Sequence, residues 1–273
     1  MIGKSSIFNY RLLLLLISII TLINSIYINN PYIFILYISS VIAATMTTNY
    51  GIKFIKKYNF LQTIRTEGPS SHLIKKNTPT MGGLFIIPIF FLILLCAKII
   101  SFKFKLALLI TISGFFSIGF LDDYLSIKKQ INLGLKSKEK LILQIFFSSF
   151  FVIFLFNNNL INNNLNFLND LTINLKSFII PISIITIISL SNSVNLTDGL
   201  DGLAAGCSSI AFCGLGTEIL LNNNKTYLIF SLLSFCLSGL CLGFLKHNKY
   251  PAKIFMGDTG SLTIGAIIGI ICV

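Results

Sequence analysis

Nine apolar runs divide the chain, near residues 12–28, 32–48, 82–97, 106–121, 141–156, 177–192, 203–221, 227–245 and 259–273, with short polar stretches between them. None shows the alternating polarity over about ten residues that marks a membrane β-barrel strand. Most approach the roughly 20 apolar residues that an α-helix needs to cross a hydrocarbon core about 30 Å thick. The pattern predicts an all-α polytopic integral membrane protein with about nine transmembrane helices, forming a single transmembrane domain over residues 1–273. The shorter runs call for snorkelling flanks or support from neighbouring helices. The first run follows Lys4 and Arg11 as the core of a signal peptide would, but no small-residue cleavage site follows it, so it reads as a retained helix.

Composition agrees with this. The chain is 54% hydrophobic and 11% charged, with a mean hydropathy of +0.85, against about 25% charged residues in soluble chains. The formal net charge of +12 would point to nucleic acid in a soluble protein. In a membrane chain it reads as juxtamembrane lysines on a lipid surface, so the expected environment is the bilayer and no nucleic acid is expected. The six cysteines all fall within apolar runs, show no paired metal-ligand spacing and read as core residues.

The basic residues orient the chain. The loops after the second, fourth, sixth and eighth runs hold 14 of the 21, including Lys53, Lys75, Lys128, Lys140 and Lys249, and the other side holds 7. The positive-inside rule then places the even-numbered loops in the cytoplasm and the N-terminus outside. Glu67, Asp122, Asp123, Glu139, Asp198, Asp201 and Asp258 fall on that same side, leaving only Asp170 and Glu218 elsewhere. Acids contribute little to topology, so their segregation needs another cause. A shared site in the cytoplasmic loops supplies one.

Four stretches carry candidate chemistry. Thr78-Pro79-Thr80-Met81-Gly82-Gly83, with Lys75 and Lys76 before it, puts hydroxyls, lysines and backbone N–H groups at a helix start, an anion site or simply a basic flank with a capping threonine. Asp122-Asp123-Tyr124 closes one apolar run and is followed by Lys128, Lys129, Lys138 and Lys140. Neighbouring helical residues point about 100° apart, so one aspartate can approach a metal while the other handles a proton. Asn195, Asp198 and Asp201 recur every three residues in a glycine-rich stretch, and a helical turn would line them on one face. Asp258, in Phe255-Met256-Gly257-Asp258-Thr259, sits at the start of the last run. There it is either an N-cap or a hard-cation ligand, Mg²⁺ being typically held by one or two carboxylates with phosphates and waters. His72 and His247 stand alone and read as satisfied polar residues.

These motifs, in this order and in these loops, resemble the phospho-N-acetylmuramoyl-pentapeptide-transferases of the polyprenyl-phosphate sugar-1-phosphate transferase superfamily, from about residue 10 to the end. The resemblance implies transfer of phospho-N-acetylmuramoyl-pentapeptide from its UDP conjugate to undecaprenyl phosphate, with Mg²⁺, at a bacterial cytoplasmic membrane, yielding lipid I and UMP for peptidoglycan. It also suggests a homodimer. It implies that Asp258 binds Mg²⁺ and that Asp122 and Asp123 act on the lipid phosphate and the metal, with Asp122 the candidate base and an aspartyl-phosphate the alternative. Asn195, Asp198 and Asp201 would line the metal and nucleoside pocket, Asn195 and Asp123 joining Asp258 at the metal. Lys75 and Asn248 would contact uridine and Phe255 would stack on uracil. Thr80 would bind substrate, and Lys138 or Lys140 would meet phosphates. Asn77 stands where the family usually has glycine, and Ser126 where it usually has lysine. The family fold has ten helices and a histidine-rich last cytoplasmic loop, and this chain stops at Val273, within the ninth. That leaves a fragment, a shortened enzyme or an inactive remnant open. A transferase using UDP-N-acetylglucosamine is the nearest rival function. An ion-coupled transporter is the rival from another class, although transporters place their acids near the bilayer midplane.

Overall fold

The computed structural model describes residues 9–58, 78–129, 134–166, 172–222 and 228–273. Each apolar run becomes a helix: α1 (Tyr10–Tyr27), α2 (Tyr32–Lys57), α3 (Gly83–Cys96), α4 (Phe102–Lys129), α5 (Ser137–Asn157), α6 (Ile179–Thr197), α7 (Leu203–Leu221), α8 (Leu228–Asn248) and α9 (Gly257–Cys272). Between α5 and α6, a hairpin of β1 (Asn164–Asn166) and β2 (Thr172–Asn174) pairs antiparallel. Among the described residues, seven helices are long and apolar enough to cross a membrane, and α3 and α9 are shorter apolar helices.

Several helices outrun their apolar runs at one end of the bundle. α2 continues to Lys57, α4 to Lys129, α6 to Thr197 and α8 to Asn248, while α5 begins at Ser137. Apolarity marks what lies in lipid, whereas backbone hydrogen bonding continues wherever polar side chains meet water or one another. The expected motif loops are therefore in large part helix ends. Asp122 and Asp123 lie within α4, and Lys138 and Lys140 lie in the first turn of α5.

α8 and α9 form the centre. α8 packs on α2 and α7, and α9 packs against α3, α4 and α6. Without a hydrophobic force between helices in lipid, small residues and buried hydroxyls hold such bundles together. A Cβ on Gly239 or Gly243 of α8 would stand 2.5 Å from Tyr37 O or 2.4 Å from Val41 O of α2. Ser238 Oγ donates to Ser209 O of α7 at 2.8 Å, and Ser191 Oγ of α6 to Leu262 O of α9 at 2.9 Å. Large apolar side chains face outward instead, among them Ile23, Leu92, Phe146 and Ile185, as lipid permits and water would not. The cysteines divide: Cys213, Cys236 and Cys241 are buried, but Cys96, Cys207 and Cys272 are exposed on the bundle surface rather than in its core. A lipid-facing surface accepts a thiol as readily as a core does, so an apolar run alone does not separate the two.

Candidate active site

The site is assembled where α4, α5, α6 and α9 converge. α9 enters it at Gly257, whose φ of +73° favours glycine and whose Cβ would lie 2.5 Å from Asp123 Oδ2. α4 and α9 approach closely at Gly119, where a Cβ would stand 2.2 Å from Asp258 O. The first and fourth motifs are zipped together beside them. Phe255 N donates to Pro79 O at 2.8 Å, Gly82 N to Phe255 O at 2.9 Å and Gly83 N to Met256 O at 3.0 Å.

Asp123 is anchored most firmly. Its Oδ1 accepts from Asp258 N at 3.1 Å, and its Oδ2 from Thr259 N at 2.9 Å and Thr259 Oγ1 at 2.6 Å. The first N–H groups of a helix have no partner within it. α9 has no side-chain cap of its own, so Asp123 of α4 supplies the cap across the helix interface. Asp258, in the first turn of α9, is thereby left for other work.

Asp258 is held from two further helices. Lys140 Nζ of α5 lies 2.6 Å from its Oδ2, and Asn195 Nδ2 of α6 donates to its Oδ1 at 2.8 Å and to Ser261 Oγ at 2.9 Å. Lys140 also reaches Asp122 Oδ1 at 2.9 Å, which accepts from Leu135 N at 2.7 Å. Asp122 is thus engaged, among the described residues, at one oxygen only. One oxygen from each of Asp122, Asp123 and Asp258 can be chosen so that all lie within 4.8 Å of one another.

Three carboxylates at that spacing repel. Each pair at about 5 Å and an effective dielectric constant near 20 contributes roughly 3 kcal/mol before any offset. Lys140 neutralises one charge and leaves a formal excess of two among these four side chains. Clustered oxygen donors with that excess suit a hard divalent cation. The residues present therefore fit a metal, with Asp122 and Asp258 the better candidates and Asp123 contributing what its capping bonds leave available.

The remaining expected site residues fall as follows. Lys75 lies outside the described residues. Thr80 is buried in the segment zipped to Phe255, whose side chain is half-buried. Lys138 is exposed, about 200° round the first turn of α5 from Lys140. α6 ends at Thr197, so Asn195, Asp198 and Asp201 do not share one helix face. Asp198 is the C-cap, and Asp201 lies in the following turn, its Oδ2 accepting from Ala252 N at 3.0 Å. Asn248 is 1% exposed and joins this turn to the next segment, accepting from Gly202 N at 3.1 Å and donating to Ile254 O at 2.9 Å. His247 Nε2 lies 3.2 Å from Thr45 O and links α8 to α2. Sequence reasoning passed over Thr259, Ser261, Gly119 and the Leu135 N–H, whose roles exist only through contacts distant in the chain. Gly119, three residues before Asp122, and Thr259, directly after Asp258, stood beside or within the motifs and left a local sign.

The sequence has relatives among known proteins. Residues 105–273 match glycosyl transferase family 4, and residues 75–87 match phospho-N-acetylmuramoyl-pentapeptide-transferase signature 1. The chain is 52% identical over 271 residues to a phospho-N-acetylmuramoyl-pentapeptide-transferase of Prochlorococcus marinus (strain MIT 9301), covering 98% of this chain and 75% of that protein. It is 54% identical over 273 residues to that of strain MIT 9215, covering 99% and 76%. A more distant relative of the same name, from Halalkalibacterium halodurans, is 41% identical over 229 residues, covering 81% of this chain and 68% of that protein.

Proposed function

The chain belongs to the phospho-N-acetylmuramoyl-pentapeptide-transferases of glycosyl transferase family 4, and from that membership we propose that it transfers phospho-N-acetylmuramoyl-pentapeptide from its UDP conjugate to undecaprenyl phosphate at the cytoplasmic face of a bacterial inner membrane. The observation that carries the reading is the convergence of Asp122, Asp123 and Asp258 around Lys140, on the segments that match the family. The product enters peptidoglycan synthesis as lipid I.

In the reaction an oxygen of the lipid phosphate forms a bond to the β-phosphorus of the UDP conjugate. The bond from that phosphorus to the bridging oxygen breaks, and UMP leaves. Such transfer depends on positioning and charge neutralisation more than on covalent chemistry by the protein. Asp258, with Asp122 and Asp123 beside it, would hold Mg²⁺, which would supply neutralisation of the diphosphate. Lys140 places an ammonium between the two carboxylates and is positioned to accompany the phosphates. Asp122, with one oxygen free of hydrogen bonds among the described residues, is the residue assigned to accept a proton from the attacking phosphate. Asp123 keeps α9, and so Asp258, in place. Asn195 orients Asp258. Lys75, Thr80, Asp198, Asp201, Asn248 and Phe255 are assigned to the nucleotide side, and Lys140, rather than the exposed Lys138, to the phosphates.

The test is to offer the purified chain undecaprenyl phosphate with both UDP-N-acetylmuramoyl-pentapeptide and UDP-N-acetylglucosamine, and to identify the lipid-linked product by mass. The muramoyl-pentapeptide product is expected. Formation of only the N-acetylglucosamine product would sink the assignment.

A further inference from the structure

Gln144 of α5 and Asn192 of α6 belong to none of the motifs, yet they pair inside the bundle. Asn192 Nδ2 donates to Gln144 Oε1 at 2.8 Å, and Gln144 Nε2 returns a longer bond of 3.4 Å to Asn192 Oδ1. Asn192 Nδ2 also donates to Ile188 O of its own helix at 2.9 Å. Gln144 is 1% exposed. Amides in such surroundings are costly unless paired, and two apolar side chains of similar volume would join α5 to α6 without that cost. Stability therefore does not explain the pair.

Its place in the two helices does. Lys140 precedes Gln144 by one turn on the same face of α5, and Asn195 follows Asn192 by one turn on the same face of α6. Those are the residues that hold opposite oxygens of Asp258, Lys140 at Oδ2 and Asn195 at Oδ1. A slip or rotation of α5 against α6 would draw the two oxygens in different directions. We infer that Gln144 and Asn192 form a positioning pair, which sets the register of α5 on α6 and through it the orientation of the Asp258 carboxylate. Lys140 and Asn195 transmit that register.

The inference rests on the proposed role of Asp258 at the metal and phosphates, and the experiment separates the two. Gln144→Met and Asn192→Leu are combined in the full chain. Removing both amides leaves no unsatisfied partner, so the melting temperature should stay at or above that of the parent. Mn²⁺ affinity is read by electron paramagnetic resonance, and kcat and KM by UMP release. A misoriented ligand typically weakens metal binding or turnover by about 10- to 100-fold. The expected result is a Mn²⁺ dissociation constant raised about tenfold and a kcat lowered at least as far, with KM moving less. Parent-like affinity and kcat in the stable double variant would overturn the inference. Failure of that variant to fold would overturn it too, by showing the pair to be a stability device. Asp258→Asn is titrated alongside. If it binds Mn²⁺ as the parent does, the metal role of Asp258 fails and the inference falls with it. If it binds weakly while the double variant binds normally, only the positioning inference fails.

Discussion

Asp123→Asn separates the structural work of this acid from any direct part in the chemistry. Three hydrogen bonds from the start of α9 converge on its two oxygens. An amide keeps one acceptor oxygen and turns an NH₂ toward the other N–H, so at least one charge-assisted bond is lost. That bond is worth about 1.5–3 kcal/mol, and the attraction of a carboxylate to a partly buried helix N-terminus adds up to about 2 kcal/mol. Against this, removing one of three clustered charges relieves repulsion of roughly 1–3 kcal/mol once Lys140 has offset part of it. The net loss is then about 2 kcal/mol, or a fall in melting temperature of roughly 4–8 °C at this chain length. Asp258→Asn relieves the same repulsion but releases only a partly exposed pair with Lys140, so it should melt within about 2 °C of the parent, or higher. Thermal unfolding of both variants in the same detergent checks this. Asp123→Asn matching or exceeding Asp258→Asn in stability would refute the capping role.

The other expectations are shorter. Lys140→Met should lower UMP release by about 100-fold or more, because it touches both Asp122 and Asp258, whereas Lys138→Met, on the exposed side of the turn, should change it less than about threefold. Gly83→Ala places a Cβ 2.3 Å from Gly260 N and should destabilise by about 1–3 kcal/mol, while Gly214→Ala meets nothing within 4 Å and should stabilise α7 by about 0.5–1 kcal/mol. Melting curves of the two glycine variants decide that contrast. Chelation with EDTA should abolish turnover, and Mg²⁺ or Mn²⁺ should restore it in the same sample.

The helices were legible because lipid imposes one simple demand, a long apolar run, and every run became a helix. Their ends were not, since Asp122, Lys140 and Asn195 are polar and interrupt the pattern while the backbone ladder continues through them. Asp122, Asp123 and Asp258 were legible as members of one site because the acids gathered in the motif stretches, but of that expected group Glu139 takes the Lys136 N–H instead and Asp201 the Ala252 N–H. Which acid does what was not legible. Asp123 caps a helix that begins at Gly257, and no local spacing announces a cap delivered from another helix. The period-three spacing of Asn195, Asp198 and Asp201 suggested one helix face, but Gly199 and Gly202 let the chain turn after Thr197 and separate their environments. Gln144 did leave a sign, as a lone amide in an apolar run. Reading it required Asn192, which lies on another helix.

The central claim is that Asp122, Asp123 and Asp258 form one metal-dependent phosphoryl-transfer site. Its most direct test is UMP release from UDP-N-acetylmuramoyl-pentapeptide and undecaprenyl phosphate by the purified chain, with and without Mg²⁺, beside Asp258→Asn. Mg²⁺-dependent release that falls by at least about 100-fold in the variant is the predicted result. Equal release with and without the metal, or by the variant and the parent, would contradict the account.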